Sequence, residues 1–208
     1  MKKTSILLIT LMLLVSNFAK SQYYLIDTVK LNSAYTDLID RPNEIECQKA
    51  FFDAFPNSWQ MFITTYQFVP DDGYDRSMYY KALEHIEALE QKITLINDSD
   101  YCKKIVDIAI GGIHEADAPS YYQCMLHRVM NNKTNKMLDY ISKLRKGYQM
   151  QFWQFYWSNG VESKRLELEY ERFFKLNLET YPNEMKIMEI AFEYFYNGVN
   201  IDGGYLED

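Results

Sequence analysis

The sequence predicts an all-α protein, a single-domain helical bundle of about seven or eight helices after a cleaved signal peptide. Three observations lead there. Residues 77–96 place Tyr79, Ala82, Leu83, Ile86, Leu89, Ile93 and Ile96 on one stripe of 3.6-residue period, while Lys81, Glu84, Glu87, Gln91 and Lys92 fall elsewhere. Polar caps and glycine stops punctuate the chain at short intervals. Strand-like alternation of apolar and polar residues is almost absent.

The first element is an export signal over residues 1–21. Lys2 and Lys3 precede an apolar run from Ile6 to Phe18, which is too short for the ~20 residues of a bilayer span. The run leads into Ala19-Lys20-Ser21, with small residues at the two positions a signal peptidase inspects. Cleavage after Ser21 would leave no cysteine at the new end to carry a lipid, and nothing later in the chain reads as a stable membrane span. It would also remove three lysines from the 22 basic residues and none of the 29 acids, moving the formal charge from −7 to −10. A surface that acidic repels phosphate backbones and anionic lipid, so nucleic acid is not an expected partner; it suits a basic protein partner or none at all, and ordinary solubility charge accounts for most of these acids.

An N-terminal arm follows at 22–42, with Tyr23 to Leu31 extended or poorly ordered, and then one helical domain at 43–208. Besides 77–96, helices are expected near 43–55, 58–68, 99–111, 118–131, 134–157, 162–180 and 184–196. Gly147 is a point where the long 134–157 segment could kink or divide. Three Pro-Asn steps, at Pro42-Asn43, Pro56-Asn57 and Pro182-Asn183, read as helix starts; Glu46 and Gln60 stand where a capping box would place them. Gly111-Gly112 and Gly198 read as stops.

The search for chemistry finds little. Of the three histidines, His114 stands with Glu115 and Asp117 in a turn that could offer metal ligands, but without ligands repeating on one helix face, and helix capping by Asp117 is the simpler reading. His85 and His127 read as packed or surface histidines. The cluster Asp71-Asp72-Gly73-Tyr74-Asp75 lacks the alternating ligands and closing glutamate of a calcium loop. Nucleophile elbows and phosphate-cradling loops are absent, and neither a metal nor another cofactor is expected. Among Cys47, Cys102 and Cys124, an exported location would allow one disulfide, for which Cys102 and Cys124 are the most plausible pair. Three free thiols are the equal alternative.

Aromatic content is the compositional oddity, with 18 Tyr, 12 Phe and 3 Trp, concentrated in Phe152-Trp153-Gln154-Phe155-Tyr156-Trp157. On a helix these rings cover more than one face. Burial is favoured because large aromatics dominate cores; if one side is shown, Trp153 and Trp157 are rings it would offer to a partner. With Asp71, Asp72, Tyr74 and Asp75 they make up the candidate partner-binding residues.

The segments Phe51 to Phe62 and Ile108 to Pro119, together with Leu126-His127 and the run from Phe152 to Trp157, resemble a set of small exported α-helical proteins common in the Bacteroidota, over roughly residues 45–196. The resemblance implies a fold and a periplasmic or secreted destination and brings no catalytic residue or cofactor. The functional expectation is therefore a periplasmic binding protein without catalytic activity, in its concrete form an immunity protein against a basic antibacterial effector. The alternatives are a cell-envelope hydrolase or carbohydrate-active protein, with two acids facing across a pocket beside exposed rings, and a structural subunit of an envelope assembly.

Overall fold

A computed structural model describes residues 26–68, 70, 76–114, 117–158 and 164–196; the signal-peptide expectation lies outside them. The described residues form eleven helices and no strand: α1 Thr28–Asp40, α2 Ile45–Ala54, α3 Trp59–Tyr66, α4 Ser77–Tyr80, α5 Ala82–Gln91, α6 Asp98–Ala109, α7 Asp117–Asn132, α8 Thr134–Ile141, α9 Lys146–Trp157, α10 Lys164–Asn177 and α11 Pro182–Tyr196. None of them is long and apolar enough to cross a membrane.

The helices pack largely as pairs. α1 lies along α2, α5 along α7, α6 along α8 and α9 along α11. α6, α7 and α9 also touch one another's neighbours and form the centre, with α3 seated on α6 and α7. The interior is built from rings. Phe51, Phe55, Phe62 and Tyr122 follow one another at centroid distances of 5.8, 6.4 and 5.0 Å, and Trp59 reaches Phe155 at 4.9 Å. Offset and edge-on contacts of this kind add to the burial of large apolar area.

Two expectations are corrected. Most of the supposed arm is helix α1: Asp27 caps it by accepting from the Lys30 N–H at 2.9 Å, and Leu31, Ala34 and Leu38 are buried. Their three- and four-residue spacing supplies the apolar stripe that an extended segment would lack. The 134–157 segment divides at Ser142–Arg145, four residues that turn before α9 begins, and not at Gly147, which is the second residue of α9. Polar side chains secure the new start, with Gln149 Nε2 donating to the Leu144 carbonyl at 2.9 Å.

The caps sit one or two residues from their expected places. Ser58, not Asn57, caps α3 by accepting from the Met61 N–H at 3.3 Å. Pro182 is the first residue of α11, where its missing N–H costs nothing. At α2 the cap position is Glu44, without a side-chain bond, and the buried Gln48 does a different job. Its Nε2 donates to the Pro42 carbonyl at 2.7 Å, and its Oε1 accepts from the backbone N–H groups of Thr94 and Leu95 at 2.8 and 2.7 Å. One side chain thus ties the start of α2 to the α5–α6 connection.

At the other end of α2, the buried Lys104 donates to the carbonyls of Phe52 and Phe55, the latter at 2.8 Å, satisfying oxygens that the helix leaves open. Burial pulls its pKa down to about 8, against the opposing charge of Asp53.

Gly111 closes α6 with φ of +76°, a left-handed conformation in which Gly112 N donates to the Ala109 carbonyl at 3.0 Å. Gly112 is needed for a different reason: a Cβ there would stand 2.5 Å from Phe155 Cγ, inside the core. Gly112→Ala is therefore expected to destabilise by about 1–3 kcal/mol, read as a lower urea midpoint at unchanged slope.

Candidate functional site

Trp153 and Trp157 are buried among Phe152, Tyr156, Phe173, Tyr170 and Phe192, so the expectation that they offer rings to a partner is corrected. α9 is enclosed on several sides by α11, α6 and α7, which leaves the rings from Phe152 to Trp157 no open face. Asp71, Asp72, Tyr74 and Asp75 lie outside the described residues. The residues on either side of that stretch are described and meet: the Arg76 guanidinium lies over the Phe68 ring, 4.7 Å from its centroid.

The three cysteines are unbonded, Cys47 and Cys102 buried and Cys124 exposed, so the Cys102–Cys124 disulfide is not formed. Burial pushes the Cys102 thiol up to about 11, which leaves it unreactive at neutral pH.

Exposed rings collect around α4 and the start of α7. α3 ends where Gln67 turns to extended backbone, and this carries Phe68 out of the core, 48% exposed. Phe68 meets Tyr79 edge-on at 5.2 Å, and Tyr79 meets Tyr80 at 5.3 Å. The Tyr79 hydroxyl donates to Asp117 Oδ2 at 2.5 Å, joining α4 to the first residue of α7. That hydrogen bond, followed by desolvation and the charge of Asp117, raises the Tyr79 pKa, and the phenol remains a donor. Tyr121, one turn after Asp117, lies on the same side of α7. Tyr80 is 69% exposed and Tyr121 36%.

Sequence reasoning counted Tyr79 on the apolar stripe and passed over Tyr80 and Tyr121. The available signal is the doublet. In Tyr121-Tyr122 the second ring is fully buried, its hydroxyl donating to the Ile105 carbonyl at 2.8 Å, so its neighbour, about 100° around the helix, turns outward.

Glu115 lies outside the described residues, and among those described the other histidine and carboxylate groupings assemble no reaction centre. His114 Nε2 is 3.1 Å from Ser120 Oγ, and among the described residues no three His, Cys, Asp or Glu side chains are grouped to hold a metal ion. Glu90 and Asp98 line a groove of about 240 Å³ where α5, α6 and α7 meet. Both are ion-paired: Glu90 accepts two bonds of 2.7 Å from Arg128, and one oxygen of Asp98 pairs with Lys133 at 2.5 Å. A hydrolytic pair needs carboxylates free to exchange protons with a substrate, and these two already face cations.

Compared with protein-family models, with curated proteins and with solved structures, the chain finds no match.

Proposed function

We propose that the protein is an exported, periplasmic binding protein that acts through protein–protein contact on the face formed by Phe68, Tyr79, Tyr80, Asp117 and Tyr121. In its concrete form it is an immunity protein that neutralises a basic antibacterial effector. The observation that carries this reading is the exposed ring cluster, since contiguous exposed aromatics beside a carboxylate are the composition of binding hot spots. Charge supports it further. The chain is acidic, and three aspartates, Asp71, Asp72 and Asp75, fall in the sequence between Phe68 and Arg76. A basic partner would be steered toward such a molecule and slowed by salt. The resemblance to small exported Bacteroidota proteins supports the compartment.

The test is to purify the processed chain with the product of its neighbouring gene. A complex is expected, together with protection of a sensitive cell; neither result with any adjacent toxin candidate would remove the reading. Within a complex, Tyr80→Ala combined with Tyr121→Ala is expected to weaken affinity by about a hundredfold, as two truncated hot-spot rings would. Both rings are largely outside the core, so the thermal midpoint should stay nearly constant. Calorimetry of binding and of unfolding reads the two quantities separately.

A further inference from the structure

The groove between α5, α6 and α7 holds a polar group to which the protein gives no partner. Tyr101 is only 3% exposed, its ring stacked on Phe52 at 6.4 Å, and it lines the groove. Among the described residues its hydroxyl makes no hydrogen bond, yet it is not one of the sealed, unpaired atoms of the core, which are His85 Nε2, Gln149 Oε1, Trp153 Nε1 and Trp157 Nε1. The hydroxyl is therefore not sealed in the core, and the groove is the opening that Tyr101 lines. Burial, then the neighbouring charges of Glu90 and Cys102, raises its pKa well above the usual tyrosine value, so it stays neutral and able to donate.

The surroundings narrow the chemistry. Lys133 Nζ lies 5.9 Å over the Tyr101 ring and spends one of its three protons on Asp98 Oδ1, leaving two protons and the second Asp98 oxygen uncommitted. Glu90 is closed off by both bonds from Arg128. The rim thus carries two complete ion pairs and no net charge, so it gives neither a net cation nor a net anion a Coulombic advantage. It does offer two donors, Tyr101 and Lys133, and an acceptor, Asp98. Ile93, Ile96 and Val129 supply an apolar wall.

We propose that this groove binds a small zwitterion of amino-acid size with an apolar side chain. The ligand's carboxylate accepts from the Tyr101 hydroxyl and from Lys133, its ammonium donates to Asp98, and its side chain rests on Ile93, Ile96 and Val129. The site is independent of the protein-binding face and stands whether or not that reading survives.

The experiment titrates the isotopically labelled full chain with L-leucine, and in parallel with leucinamide, N-acetyl-leucine and glucose, following backbone amide shifts. Leucine should give saturable shifts at Ile93, Ile96, Tyr101 and Val129. Leucinamide lacks the carboxylate and N-acetyl-leucine lacks the ammonium, and each should bind about tenfold more weakly; glucose should not bind. Tyr101→Phe keeps the ring and should weaken leucine about tenfold while leaving the spectrum elsewhere that of a folded protein. The proposal is overturned if neither leucine nor another apolar amino acid gives saturable shifts in the groove. It is equally overturned if a singly charged analogue or glucose binds as tightly as leucine, or if Tyr101→Phe binds leucine as the native chain does.

Discussion

Trp157→Ala should destabilise the protein by about 3–5 kcal/mol and lower its melting temperature by about 10 °C or more. The indole is buried and meets Tyr156, Tyr170 and Phe192 edge-on at 4.8, 5.8 and 5.4 Å. It joins α9 to both α10 and α11. Tyr170 and Phe192 are themselves stacked at 4.0 Å, so removing the indole opens a void against a stack that cannot collapse without moving a helix. Trp157→Phe should cost much less, about 1–2 kcal/mol, because its ring refills most of the void and, like alanine, it removes an indole N–H that has no hydrogen-bond partner among the described residues. Urea midpoints for the two variants check this; equal losses would mean that a phenyl ring does not refill the void.

Stability should also fall by about 3 kcal/mol as pH drops from about 6.5 to about 4, through His85. The imidazole is fully buried, with Nδ1 3.0 Å from the Tyr66 hydroxyl and Nε2 without a partner among the described residues. Tyr35, Phe51 and Tyr66 present their rings to it. Desolvation, helped by the charge of Lys81, lowers its pKa from 6.5 to about 4.

In that window the unfolded chain binds a proton that the native chain refuses. The unfolded state therefore gains on acidification, and stability rises with pH until about 6.5, above which this group adds nothing further. The nearby carboxylate Glu84 accepts a hydrogen bond from Tyr35 and does not reach the imidazole to offset the effect. His127, also lowered by burial but held up by its bond to the Tyr156 carbonyl, adds a smaller slope of the same sign. His85→Gln, compared with the native chain by urea unfolding across this range, should flatten most of the dependence. An unchanged slope would place the acid sensitivity elsewhere.

Much of the bundle was readable because apolar period and backbone chemistry point the same way. Ala82, Ile86, Leu89 and Ile93 are buried as their stripe requires, and Gly111 ends α6 with the positive φ that glycine allows. What escaped depended on partners distant in sequence. Nothing local marks Gln48 of α2 for burial; the N–H groups that allow it come from Thr94 and Leu95, 46 and 47 positions on. α1 shows its stripe only when Asp27 is recognised as the cap that starts it.

The candidate surface was less legible. A ring-rich helix does not announce which rings its neighbours will cover; α11 and the centre of the bundle covered Trp153 and Trp157, while the short α4 left Tyr80 outside. The acidic stretch at 71–75 stands out by composition alone, and the ring cluster of Phe68, Tyr79, Tyr80 and Tyr121 emerges only when α4 and α7 come together through Tyr79 and Asp117.

The dense ring packing has an optical consequence. Trp153 and Trp157 are shielded from water, and Trp59 lies between Phe62 and Phe155 at 5.5 and 4.9 Å. The native protein should therefore emit at short wavelength and give strong near-ultraviolet circular dichroism, both lost when the bundle opens. Trp59 reports on the α3 side and the other two on the α9–α11 side, so single-tryptophan versions would show whether the two halves loosen together or in turn.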